Sequence, residues 1–161
     1  VCMREHFDVT LYCHQNSEGK LNTKKNCSPK LVAFVCSVKD ENDGGHRYED
    51  FKKNFIEYEL HPDVCFEDGS NFEIEGHSIR IIHTPGHTPG SSLIVMDEEM
   101  AFTGDTMIEG NKIITTFRGG NKDELKTTLP ILKALPEDLW IMPGHGDPFK
   151  KKQFNFDIYN V

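Results

Sequence analysis

The run His83-Thr84-Pro85-Gly86-His87-Thr88-Pro89-Gly90 constrains this chain more than any other stretch. Two Pro-Gly pairs fall within eight residues. Each proline fixes its own φ and pushes the residue before it, Thr84 or Thr88, toward extended geometry. Each glycine admits backbone angles that a Cβ forbids. An apolar strand, Ile79 to Ile82, leads into the loop, and Ser92 to Met96 leads out. The loop is therefore predicted to hold His87 at a strand end with little freedom. An imidazole presented to a metal needs that rigidity.

Two later segments repeat the pattern. Ala101-Phe102-Thr103 reads as a strand that turns at Gly104-Asp105-Thr106. Trp140-Ile141-Met142 reads as a strand that turns at Pro143-Gly144-His145-Gly146-Asp147-Pro148. If the strands share one sheet and one direction, His87, Asp105 and His145 converge at one edge. Two imidazoles and a carboxylate suit zinc, iron or manganese. Taken singly, each motif is an ordinary turn. Three in order, each after a strand, point to ligation. His83 and His77 read instead as a strand end and a hairpin turn.

The run Ile81 to Ser91 resembles the third motif of the metallo-β-lactamase superfamily, and most closely its glyoxalase-II-like hydrolase branch. Phe102-Thr103-Gly104-Asp105-Thr106 is similar to the fourth motif, and Ile141-Met142-Pro143-Gly144-His145-Gly146 to the fifth. The resemblance covers about Asp68 to Pro148. It implies an α+β fold, the superfamily's αββα sandwich, of which this chain supplies mainly the C-terminal part. It implies His87 on one zinc, His145 on a second, and Asp105 bridging them as the key catalytic residue. It also implies that a metal-bound hydroxide attacks a small ester or thioester.

The superfamily's first metal motif, His-x-His-x-Asp-His, has no counterpart here. Arg4-Glu5-His6-Phe7-Asp8-Val9 lacks its first and last histidines. Cys2 to Phe7 aligns better with the end of the helix after that motif, and Asp8 to Cys13 with the next strand. The expectation is a chain that begins inside the family domain. Two alternatives stand beside the hydrolase. One is an inactive half-domain that works only with a second copy or a complementing N-terminal chain. The other is an iron-dependent oxidoreductase relative.

At 161 residues the chain is expected to form a single domain, residues 1–161. Its 18 basic and 26 acidic residues leave −8, which disfavours nucleic acid and anionic membranes as partners. A small-molecule substrate is expected instead. Five scattered cysteines without a C-x-x-C pair read as reduced thiols, hence a cytoplasmic protein. No apolar run approaches the roughly 20 residues of a membrane span, and no signal peptide is visible. The opening Val1 suggests a fragment or a processed start.

Along the chain, Leu31 to Val38 reads as a buried strand, although a helix fits its length. Phe51, Phe55 and Tyr58 recur at helical spacing. Phe72 to Ile82 and Ser92 to Thr103 read as two hairpins that feed the His87 and Asp105 loops. Lys112 to Thr116 reads as a strand. Asn121 is the predicted N-cap of a leucine-striped helix that Pro130 should kink or split. Lys150 to Lys152 reads as a solvated turn. The alternating Phe154, Phe156 and Ile158 suggest a last strand or a docking arm.

Overall fold

Short apolar runs separated by tight turns build two sheets. The structure is a computed structural model whose described residues are 6–21, 32, 36–37, 40–41, 44–54, 59–116 and 119–159. A two-stranded sheet joins β1 (Tyr12–His14) to β2 (Val64–Phe66). A six-stranded sheet runs β3 (Asn71–Ile74), β4 (His77–His83), β5 (Ser92–Met96), β6 (Met100–Gly104), β7 (Trp140–Pro143) and β8 (Phe149–Lys150), in that spatial order. Two α-helices are described, α1 (Arg47–Asn54) and α2 (Lys122–Ala134). By their contacts the residues divide into two compact units. One is Val1–Tyr12 with Ser17–Val64, and the other is Cys13–Asn16 with Cys65–Val161.

In the first unit, Asp40 accepts hydrogen bonds from the Arg47 and Tyr48 backbone amides at 3.1 and 3.4 Å, satisfying donors at the start of α1. Val32, Cys36 and Asp40 are helical and half-buried. That four-residue spacing is a helix period, so the strand expected over Leu31 to Val38 is a helix at its described positions.

In the second unit, strand direction is what positions the loops. β5 runs antiparallel to both β4 and β6, and β7 runs parallel to β6. β4, β6 and β7 therefore point one way, and their C-terminal ends lie along one edge. Both expected hairpins are present, and both turns use left-handed residues. Glu75 and Gly76 have φ of 54° and 82°, and Asp97 and Glu98 have 52° and 55°. That pattern matches the right-handed strand twist. Non-glycine residues are disfavoured there, and cross-strand bonds offset the cost. Asp97 accepts from the Ser78 amide at 2.9 Å and lies 2.7 Å from His77 Nδ1, while Arg80 donates twice to Glu98 at 2.7 and 2.6 Å.

One sheet face carries the core. Leu93, Val95, Ala101, Ile141 and Phe149 pack with Leu125 and Leu132 of α2, and with Met107, Ile113, Leu139 and Phe154. Each large aliphatic side chain buried there contributes about 1.5–3 kcal/mol. On the opposite face Ile94, Phe102 and Trp140 are exposed. Ile94 pairs with Phe102, and Trp140 with Met100, so the three share that face.

Four local expectations are corrected. Residues 8–11 are irregular, and the first strand is Tyr12–His14. Lys112 to Thr116 forms no strand, because its backbone bonds to side chains rather than to a neighbouring strand. α2 runs through Pro130 unbroken. Pro130 and Lys126, whose carbonyl loses its partner, both lie on the exposed side, where water can take that bond. The lysine turn is not uniformly solvated. Lys151 is 5% exposed, and its Nζ donates to the Lys133 carbonyl at the C-terminal end of α2 at 2.8 Å and to Glu137. A cation at that helix end meets the negative pole of the dipole. The C-terminal arm follows as two 3-10 turns that pack on this unit's own core.

Cys36 and Cys65 are free thiols. Cys2 and Cys27 lie outside the described residues. Among the described residues no helix is long and apolar enough to cross a membrane.

Candidate metal centre

The Pro-Gly loop is braced before it presents anything. Thr84 N–H donates to the Ser91 carbonyl at 2.8 Å, and Ser91 N–H to the Thr88 carbonyl at 3.2 Å, so the loop closes on itself. Helix α2 then grips it from outside. Asn121 N–H donates to Gly86 O at 2.8 Å, and Thr128 Oγ1 to Pro85 O at 2.6 Å. The Asn121 side chain meanwhile caps α2 by accepting from Asp123 and Glu124. Gly86 sits at φ +133°, and a Cβ there would lie 2.9 Å from the Leu125 backbone. Only glycine lets loop and helix approach so closely.

His87 then donates from Nδ1 to the Ile114 carbonyl at 2.7 Å. A carbonyl only accepts, so Nδ1 carries a proton, and in the neutral ring the lone pair is on Nε2. That Nε2 lies 3.5 Å from Asp105 Oδ2. His145 Nε2 lies 3.6 Å from the other oxygen, Oδ1. Asp105 stands just beyond β6, where the register against β7 shifts between Phe102 and Gly104. A bulge there re-aims the chain. The two loops are tied by Gly144 N–H donating to Gly104 O at 2.9 Å. A Cβ on Gly144 would lie 2.8 Å from Asp105 Oδ1. The carboxylate therefore occupies a space that only glycine leaves open.

These separations fit metal ligation better than hydrogen bonding. Two donors about 2.1 Å from one ion at a tetrahedral angle are about 3.4 Å apart. A charge-assisted hydrogen bond is shorter, at about 2.7–2.9 Å. Each oxygen of Asp105 thus has one imidazole at the spacing of two ligands on a shared ion. Among the described residues no group of three or more His, Cys, Asp and Glu surrounds a single point. The arrangement is two half-sites with two donors each. They open onto a pocket of about 260 Å³ lined also by Ile108, Asn111, Lys112 and Ile114. His145 is the open side, with 75% of its side chain exposed.

Comparison with known proteins gives the family. The family model for the metallo-beta-lactamase superfamily matches residues 4–145. The chain belongs to that superfamily. It is 28% identical over 147 residues to the probable metallo-hydrolase YqgX of Bacillus subtilis, covering 89% of this chain and 60% of that protein. It is 35% identical over 88 residues to the hydroxyacylglutathione hydrolase GloC of Haemophilus influenzae, covering 53% of this chain and 42% of that one. The crystal structure of the BLEG-1 B3 metallo-beta-lactamase matches with TM-score 0.68 at 24% identity, covering 94% of this chain and 65% of that one. The chain thus spans less than two thirds of each.

Within the superfamily's fold, the structure brings His87, Asp105 and His145 together and leaves His77 and His83 elsewhere. His77 pairs with Asp97 in a hairpin turn. His83 Nε2 donates to the Pro89 carbonyl at 2.8 Å and so steadies the second Pro-Gly pair. Thr88 bonds to Ser91 and Thr103 to the Met107 carbonyl, so both serve turns rather than the ligands. His14 escapes sequence reading. It is 3% exposed and stacks on His83, with ring centroids 4.1 Å apart and planes at 12°. Its Nδ1 accepts from the Asn16 amide at 3.1 Å. Only its place at a strand end hints at this role.

Two predictions follow from this bracing. Gly144→Ala is expected to displace the Asp105 carboxylate and lower metal uptake at least tenfold on the scale of ligand-orienting contacts. It should leave thermal stability nearly unchanged. Gly86→Ala is expected to do the reverse first, costing roughly 1–3 kcal/mol through forced backbone angles. Metal titration and chemical denaturation of both variants separate the two effects. His14 supplies a pH dependence. Burial, and next the His83 imidazole, push its pKa below the ordinary value, while Asp68 and Glu67 pull weakly upward. The unfolded chain therefore binds the proton more readily, and stability is lost as pH falls from the unfolded value of about 6.5 toward the folded one. His14→Phe keeps a stacking ring and removes the proton site. Thermal unfolding at pH 7.5 and 5.5 should show a smaller acid loss in the variant than in the natural chain.

Proposed function

We propose that this chain supplies half the donors of a two-metal hydrolase centre acting on a small ester or thioester. One observation carries the reading: a single carboxylate faces one imidazole on each of its oxygens, at 3.5 and 3.6 Å. Imidazole and carboxylate donors suit zinc, and also accept iron or manganese. A divalent cation held there supplies Lewis acidity, lowering the pKa of water to about 7 and polarising the attacked carbonyl. Asp105 acts as the bridge that keeps the two half-sites in register. His87, its tautomer set by Ile114, gives Nε2 to one side, and His145 gives Nε2 to the other. Ile108 and Ile114 offer an apolar wall for an acyl group, with Asn111 and Lys112 as polar neighbours. The names of YqgX and GloC, a metallo-hydrolase and a hydroxyacylglutathione hydrolase, favour the hydrolytic reading and a thioester substrate.

Each ion needs further donors, and these come from outside the three loops. The apolar face carrying Ile94, Phe102 and Trp140 also needs cover, since burial is worth roughly 25 cal/mol per Å². A complementing N-terminal chain or a second copy of this chain would answer the second need, and the N-terminal chain would answer both.

Elemental analysis of the purified protein tests the ligand set. Asp105→Ala should lose bound metal and thioester hydrolysis together, by about 100-fold or more in rate. His83→Ala should retain both. Equal metal loss in the two variants, or hydrolysis that survives chelation, would refute the centre. Sedimentation of the same samples tests the partner. Full turnover by a monodisperse monomer would overturn the need for a partner.

A further inference from the structure

Tyr159 lies far along the chain from the metal loops, yet it holds the segment that holds His87. We propose that Tyr159 is a positioning residue for His87, acting through the backbone of Ile113 and Ile114. The inference rests on the reading of His87 as a metal ligand.

Residues 111–116 form no regular structure, so their backbone groups must find partners one by one. Ile113 is 7% exposed and packs in the core. Its N–H donates to the Tyr159 hydroxyl at 2.8 Å. One residue on, the Ile114 carbonyl accepts from His87 Nδ1 at 2.7 Å. A phenol and an imidazole thus grip the same short segment.

The phenol is itself well anchored. It ends the 3-10 turn Phe156–Tyr159 and packs against the core with Phe156. Phe154 and Phe156 meet edge to face, with ring centroids 4.8 Å apart. Burial pushes the Tyr159 hydroxyl above its ordinary pKa, so it stays neutral and available as an acceptor.

The consequence falls on the imidazole. His87 presents Nε2 to Asp105 only while Nδ1 has a fixed acceptor. Without the Tyr159 hydroxyl, a buried amide at Ile113 loses its partner, and buried amides are seldom left so. The segment then shifts to satisfy it. The Ile114 carbonyl moves with it, and the ring is free to change tautomer or flip. Rigid support of a ligand from behind is what sets its affinity.

Nitrogen-15 NMR of the His87 ring in the metal-free protein tests this, with Tyr159→Phe and Val95→Ala as the variants. In the natural chain, Nδ1 should appear protonated and Nε2 unprotonated. In Tyr159→Phe the two signals should move toward each other, and zinc affinity, read by chelator competition, should fall about tenfold. Val95→Ala, a core change on β5 away from the C-terminal arm, should lower the melting temperature and leave both readouts unchanged. Unchanged ring nitrogens in Tyr159→Phe would overturn the proposal. Amide exchange in the natural chain gives a check that no unfolded variant can spoil: a protected Ile113 amide supports the bond, and a rapidly exchanging one overturns it. A ring fixed by Tyr159 in a protein that binds no zinc would uphold the positioning role and refute the metal centre instead.

Discussion

Everything at this site depends on where the Asp105 carboxylate is held. Its two oxygens face two imidazoles at nearly equal distances. A side chain with one rotatable bond fewer than glutamate achieves this only if its backbone is placed accurately. Placement comes from the end of β6, from the register shift against β7, and from the Gly144 amide bonded across to Gly104. Gly144 has no Cβ to crowd the carboxylate, where one would lie 2.8 Å from Asp105 Oδ1. The two histidines reach the same carboxylate from different strands, so the site is an outcome of sheet topology.

That topology is economical. Because β5 reverses between β4 and β6, and β7 runs parallel to β6, three strands end on one edge. Helix α2 provides the crossover that makes the parallel pair possible. The same helix clamps the His87 loop, since Asn121 and Thr128 bond to Gly86 and Pro85. One helix thus packs the core with Leu125 and Leu132 and braces the His87 loop with its polar first half. Lys151 locks the far end of that helix to the C-terminal arm, and Tyr159 on the arm returns to the His87 side of the sheet. Fold stability and the placement of His87 share the same contacts.

The parts legible in the sequence are those that local chemistry decides. Proline and glycine marked the ligand loop, period-two alternation marked the hairpins, and Asn121 with its acidic followers marked the start of α2. The repeated turn from strand to glycine drew together His87, Asp105 and His145, and the resemblance to superfamily motifs implied their roles. What was illegible depends on distant partners. Lys112 to Thr116 is rich in β-branched residues like a strand, but its backbone is claimed by a histidine and a tyrosine. Lys151 is indistinguishable from Lys150 and Lys152 until α2 presents a carbonyl to it. Val32 and Cys36 carry β-branched or small apolar character, which did not reveal their helical period. Asp97 and Glu98 lack the glycine that usually announces a left-handed turn, because Ser78 and Arg80 on β4 hold them there.

The central claim is that one carboxylate joins two metal ions, each also held by one of the imidazoles. Anomalous diffraction from zinc-loaded crystals tests it most directly. The account predicts two peaks about 3.5–4 Å apart, one between Asp105 and His87 and the other between Asp105 and His145. A single peak shared by both imidazoles, or peaks that leave Asp105 uncoordinated, would contradict it.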